Sequence, residues 1–165
     1  GITYLIDAFH ELYKIYGNKF KLVIIGEGTV KEELQKKVNN LNLSTSVIFT
    51  GYQNNINDWL NLFDVFALPS LSEYHSIGLL EAMRSKKSIV ATNVGGNTES
   101  IRNLKEGIIV DSKSSKQLFD AINKLYTDRN LSMQLANNAQ LRFNKNFSEK
   151  ASMNKLVEIL LKFKH

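Results

Sequence analysis

The stretch Asp64 to Glu99, DVFALPSLSEYHSIGLLEAMRSKKSIVATNVGGNTE, constrains the fold more than any other part of the chain. It opens with a short apolar run, Val65 to Leu68, which breaks at the only proline, Pro69, and at Ser70 and Ser72. A helical pattern follows, then a second apolar run, Ser88 to Thr92, and the turn Gly95-Gly96. Strand, loop, helix, strand and glycine turn make a βαβ unit, and such a unit belongs to a parallel sheet with helices on its faces.

The rest of the chain repeats the theme. Leu5, Ala8, Phe9, Leu12 and Tyr16 recur at helical spacing, and Gly17-Asn18 stops that helix. Phe20 to Ile25 is a nearly continuous apolar run, which predicts a strand buried on both faces, and it ends in Gly26-Glu27-Gly28. Thr29 is the expected cap of the next helix, whose inner face is Val30, Leu34, Val38 and Leu41. Val47 to Thr50 predicts a strand ending at Gly51, and Ile56, Trp59, Leu60 and Phe63 a short helix. One helical turn is expected over Glu99 to Asn103 and a last strand over Gly107 to Val110.

Beyond Asp111-Ser112 the pattern is helical throughout. Leu118, Ala121, Ile122 and Leu125 form one face, with Ser114 or Ser115 as cap. Leu131, Leu135, Ala139 and Phe143 form a second, and Met153, Leu156, Val157, Leu160 and Leu161 a third, capped by Ser148. The alternation predicts a single α/β domain over residues 1–165: a Rossmann-like parallel sheet with flanking helices and a helical C-terminal segment. In such a sheet ligands gather at the carboxyl ends of the strands, here near Gly26, Gly51, Pro69 and Gly95.

Composition removes several function classes. With 43% hydrophobic and 22% charged residues, the chain reads as an ordinary soluble domain. It has no cysteine, hence no disulfide, thiolate nucleophile or thiolate metal site, which fits the cytoplasm. No apolar run nears the roughly 20 residues of a membrane span, and no secretory signal is visible. The net charge of +5 sits largely on helix faces, as at Lys36-Lys37 and Lys162 to Lys164, and no arginine-rich or aromatic-basic tract points to nucleic acid. The chain opens at Gly1-Ile2 without an initiator methionine and reads as a piece of a longer polypeptide.

The chemistry that stands out lies in the loop from Ser70 to Ser76 and the helix after it. The first N–H groups of a helix lack intrahelical partners and carry partial positive charge, so those of Ser76, Ile77, Gly78 and Leu79 form a ready site for phosphate oxygens. The plainer alternative is one more capped helix in an α/β sheet. Glu73 and Glu81 bracket this helix start, with seven residues between them. A glycosidase pair faces each other across one bond at about 5 to 10 Å. Two glutamates on one βα unit suggest instead two points along an elongated ligand, each accepting from sugar or ribose hydroxyls. Gly26-Glu27-Gly28 lacks the third glycine of the dinucleotide fingerprint and the lysine of a Walker loop, so it reads as a tight turn or a ligand contact. Gly95-Gly96 marks a close approach, with positive φ. His75 is a candidate phosphate donor or a packing residue, and no His, Asp and Glu cluster has metal-ligand spacing.

These residues carry a family resemblance. Phe66-Ala-Leu-Pro-Ser-Leu-Ser-Glu73, Leu79-Leu-Glu-Ala-Met83 and Ile89-Val-Ala-Thr-Asn-Val-Gly-Gly-Asn-Thr-Glu99 resemble the retaining glycosyltransferases of family 4, whose signature E-x7-E appears as Glu73 and Glu81. Leu22 to Gly28, Val47 to Tyr52 and Glu106 to Val110 resemble other conserved strands of that family in the same order. The resemblance implies a GT-B enzyme of two Rossmann-like domains, with this chain as the C-terminal, donor-binding one and its first strand missing. It places Glu73 at the sugar, Glu81 at the ribose, the amides from Ser76 to Leu79 at the diphosphate, and Gly51, Tyr52 and Gln53 near the base, with Gly26 and Gly28 lining the same cleft. The partner is then a nucleotide-diphosphate sugar, with no metal or other cofactor, in polysaccharide or glycolipid assembly. The full-length protein is expected in the cytoplasm, in peripheral contact with the inner face of the membrane, together with an N-terminal acceptor domain. A GT-B nucleotide-sugar epimerase and a non-catalytic transferase-like subunit are the alternatives. The family's E-G-F-G is here Glu73-Tyr74-His75-Ser76, and the Arg and Lys with which the family flanks the diphosphate are absent from this sequence. The isolated stretch is therefore expected to bind donor weakly and to catalyse nothing.

Overall fold

The computed structural model describes residues 1–162, so Lys164 and His165 lie outside the described residues. Five parallel strands, β1 (Leu22–Ile25), β2 (Val47–Gly51), β3 (Val65–Leu68), β4 (Ser88–Thr92) and β5 (Ile108–Val110), alternate with helices. These are α1 (Ile2–Tyr16), α2 (Lys31–Asn40), α3 (Ile56–Leu62), α4 (Ile77–Arg84) and the single turn α5 (Asn97–Ser100). Then α6 (Ser115–Thr127), α7 (Arg129–Asn146) and α8 (Glu149–Lys162) follow in succession.

The sheet is in two parts. β1 pairs with β2, and β3, β4 and β5 pair in that order, all parallel. Helix α1 lies across both parts: Ile6 and Phe9 pack with Leu22, Ile24 and Val47, while Leu5, Ala8 and Leu12 pack with Val65, Ala67 and Val90. No strand pair joins the two parts among the described residues, and α1 is the element that covers both.

The division explains one departure from expectation. The run Phe20 to Ile25 predicts a strand buried on both faces, but β1 is half-buried along its length, as is β3, whereas every residue of β4 is buried. Among the described residues only β4 has a paired strand on each side and helices on both faces: Ile89 and Ala91 meet Leu79, Ala82 and Met83 of α4, and Val90 meets α1 and α6. Burial of side chains such as Leu79 and Met83 contributes about 1.5–3 kcal/mol each.

Caps fix the register of several helices. Ser76 accepts from the Leu79 amide, Ser114 from Gln117 and Asp128 from Leu131. Ser148 accepts from the Ala151 amide, as expected. Thr29 does not cap α2; the position before the helix is Val30, with no side-chain bond, and the acidic pair Glu32 and Glu33 faces the helix dipole instead. The turn expected over Glu99 to Asn103 forms two residues earlier, as α5, because the Asn97 side chain donates to Thr92 O and draws the chain down onto the end of β4. The apolar stripe of α8 is not an inner face here: Met153, Leu156, Val157, Leu160 and Leu161 are all exposed. Helical periodicity shows that a helix has an apolar side, not which surface covers it.

One buried charge braces the region after β4. Glu106 is 3% exposed and receives the Arg102 guanidinium and the Arg102 backbone amide. Burial raises the proton affinity of its carboxyl, but the side-chain and backbone bonds from Arg102 outweigh it and hold the group below its usual range. A carboxyl lowered on folding adds stability above the ordinary carboxylate value of about 4.3 and loses it as pH falls through the folded-state value. Glu106→Gln is accordingly expected to cost about 1 kcal/mol near neutral pH, and less in acid. Urea denaturation of wild type and variant at pH 7 and pH 3 checks this; a difference that stays constant with pH would count against the pairing.

Candidate functional site

The βα unit from β3 to α4 builds the site. After β3 the buried Pro69 stops the ladder, and the chain crosses the carboxyl edge of the sheet as an open loop to Ser76. Ser76 is extended, buried, and caps α4 with its hydroxyl 3.2 Å from the Leu79 amide. That bond removes Leu79 from the expected phosphate donors, and the Leu79 side chain is fully buried in the core. The amides of Ser76, Ile77 and Gly78 have no hydrogen-bond acceptor among the described residues and stand at the positive end of α4. Ile77 is exposed, and Gly78 presents no side chain to anything approaching these donors. The group left is three amides rather than the four expected.

The two glutamates sit on either side of this helix start. Glu73 is half-buried, and its carboxylate accepts from the Ser70 hydroxyl at 3.3 Å. Glu81 lies one turn into α4, half-buried, with no bond from its carboxylate to any described residue. Neither carboxylate has a cation within ion-pair distance among the described residues. Both oxygens of Glu81, and most of the accepting capacity of Glu73, are therefore free for hydroxyl donors.

Gly95-Gly96 is a close approach, as expected, but what approaches is the chain's own loop. Gly95 has φ +46°, and a Cβ there would fall 1.5 Å from the Glu73 carbonyl oxygen. A Cβ on Gly96 would fall 2.1 Å from the Tyr74 carbonyl oxygen, which the Gly96 amide bonds at 2.9 Å. His75 is exposed, with its ring centroid 6.0 Å from that of Phe147, so it does not fill a buried packing position. Ser70 and Thr92 are the polar residues that sequence reasoning passed over. The paired glycines after β4 were the one available signal that something lies against that turn.

The ends of β1 and β2 carry the other residues expected at the site. Gly26 (φ +116°) and Gly28 are exposed, with open space where a side chain would stand. The Gly26 amide bonds the Gly51 carbonyl at 2.8 Å, which ties the two strand ends together. Gly51 (φ +69°) is buried, and Tyr52 beyond it is 71% exposed. The Gln53 side chain donates to Thr50 O and accepts from Trp59 Nε1, so its amide is held in one orientation while its backbone lies along the strand ends.

The sequence pattern of the family described as glycosyl transferases group 1 matches residues 1–142. An alpha-D-kanosaminyltransferase of Streptomyces kanamyceticus is 30% identical over 141 residues, 84% of this chain and 36% of that protein. The C-terminal domain of LpcC, a glycosyl transferase group 1 family protein of Francisella tularensis, superposes with a TM-score of 0.83 at 30% identity, over 90% of this chain and 80% of that one. HepE of Anabaena, solved in complex with UDP, shares the fold at a TM-score of 0.90 and 24% identity, over 99% of this chain and 45% of its own. The chain thus spans about a third of the length of the curated relatives it matches.

Proposed function

Since the chain belongs to the glycosyl transferases of group 1, we propose that it is the donor-binding domain of a retaining glycosyltransferase that moves a sugar from a nucleotide-diphosphate sugar to an acceptor. The observation that carries this reading is the row of free amides at Ser76, Ile77 and Gly78 with a carboxylate on either side. The diphosphate lies over the amides. Glu73 faces the sugar and Glu81 the ribose hydroxyls, and the backbone from Gly51 to Gln53 meets the base, with Gly26 and Gly28 beside it.

The chemistry follows from these positions. As the bond from sugar to diphosphate breaks, negative charge grows on the diphosphate, and prealigned amides stabilise it more in the transition state than in the bound donor. Positive charge grows on the sugar ring, and a carboxylate at Glu73 stabilises it. The remaining charge on the diphosphate is matched by cations from the polypeptide ahead of Gly1, and no metal is required. That polypeptide also supplies the acceptor domain. UDP in HepE and the glycan chemistry of the bacterial relatives favour a UDP-sugar donor and bacterial polysaccharide or glycolipid assembly. We place the whole enzyme in the cytoplasm, in peripheral contact with the inner face of the membrane.

Calorimetric titration of the full-length protein with UDP-, GDP- and ADP-sugars tests the reading. One nucleotide series is expected to bind in the micromolar to millimolar range, with slow donor hydrolysis in the absence of acceptor. Absence of binding to all three would overturn it.

A further inference from the structure

We propose that Ser70, Thr92 and the Gly95-Gly96 turn are positioning residues that hold Glu73 in its working orientation, a claim that rests on the donor-site reading of Glu73 given above. The Thr92 side chain is 1% exposed and stands at the carboxyl end of β4, the one strand buried throughout. Its hydroxyl donates to the Ser70 carbonyl at 2.7 Å. The Ser70 hydroxyl in turn donates to Glu73 Oε2 at 3.3 Å. On the far side of Glu73 the Gly96 amide holds the Tyr74 carbonyl, and Gly95 is in contact with the Glu73 carbonyl, closer than any side chain permits.

The Glu73 backbone is thus fixed from the sheet on both sides, and its carboxylate is fixed through a hydroxyl that the sheet also holds. Asn97, fully buried, anchors the arrangement by donating to Thr92 O at 3.1 Å. None of these groups other than Glu73 needs to touch the donor. Their effect is to tie one carboxylate oxygen, through Ser70, to the end of the buried strand β4 and to leave the other free for a hydroxyl. An exposed loop residue without such a seat samples many rotamers, and a misplacement on the order of 1 Å at a reacting centre costs about 100-fold in rate.

The test compares Ser70→Ala, Ser70→Thr, Thr92→Val and Thr92→Ser in the full-length protein. Ser70→Ala and Thr92→Val are expected to lower kcat by about 10- to 100-fold while the affinity for the nucleoside diphosphate stays within about twofold. Ser70→Thr and Thr92→Ser, which keep the hydroxyl, restore kcat. Circular dichroism melts confirm that each variant is folded; if Thr92→Val is not, Ser70→Ala on the loop decides. Unchanged kcat in Ser70→Ala, or kcat and nucleotide affinity falling together, would overturn the proposal. If the wild type neither binds nor turns over any nucleotide sugar, the donor-site reading fails separately. Hydrogen exchange at the Gly96 amide in ligand-free protein then decides whether the seat exists: Thr92→Val is expected to accelerate it at least tenfold, and no change would overturn the seat.

Discussion

Glutamine in place of Glu73 in the full-length protein is expected to lower sugar transfer by about 100- to 1,000-fold, the range found when one prealigned electrostatic group is removed from an active site. Glutamine keeps the length of the side chain and a carbonyl oxygen for the Ser70 hydroxyl, so the loop between Pro69 and Ser76 stays as it is. What is lost is the negative charge that, in the proposed site, faces the sugar as positive charge develops there. The loss is expected on kcat, because the ground-state sugar is neutral and, in the proposed site, the diphosphate lies over the amides of Ser76, Ile77 and Gly78 rather than at Glu73. Steady-state kinetics and a nucleoside diphosphate titration on the same preparation check this. Unchanged turnover would remove Glu73 from the reaction.

Glu81→Gln is expected to act in the opposite way, on binding rather than on turnover. The Glu81 carboxylate has no partner among the described residues and sits one turn past the free amides; in the proposed site it accepts from both ribose hydroxyls. Hydrogen bonds to a charged group contribute about 1.5–3 kcal/mol, so the dissociation constant rises about 10- to 150-fold. Free nucleoside diphosphate and nucleotide sugar lose affinity by the same factor, since the ribose is common to both. Calorimetry with the two ligands checks the equality. A loss confined to the nucleotide sugar would move Glu81 to the sugar end of the cleft.

The βα unit that carries the two glutamates is legible in the sequence. Val65 to Leu68 and Ser88 to Thr92 form strands with the bounds the apolar runs give, because Pro69 and the glycine turn leave no other way to end them. The capped start of α4 was legible for the same reason: Ser76 stands directly before an apolar pattern with buried positions at Leu79, Ala82 and Met83.

What escaped depends on neighbours distant in sequence. β1 is as apolar as a fully buried strand, yet it has a paired strand on one side only, β2, and is half-buried. The stripe on α8 has helical spacing and no surface to meet among the described residues. The bond from Thr92 to Ser70 spans 22 positions, and no local pattern announces it. Leu79 looked like a fourth phosphate donor until the Ser76 hydroxyl, oriented by its extended backbone, took that amide. Periodicity reports which face a residue occupies, whereas the pairing of polar groups across elements is a property of the assembled fold.

The claim that the diphosphate lies over the start of α4 is tested most directly by amide NMR of the isotope-labelled full-length protein titrated with UDP. The amides of Ser76, Ile77 and Gly78 are expected to shift furthest and to move together with one binding constant, while the Leu79 amide, already held by Ser76, moves little. Shifts confined to the cleft around Asn93, Arg102 and Asp111, with the Ile77 and Gly78 amides unmoved at saturation, would contradict it.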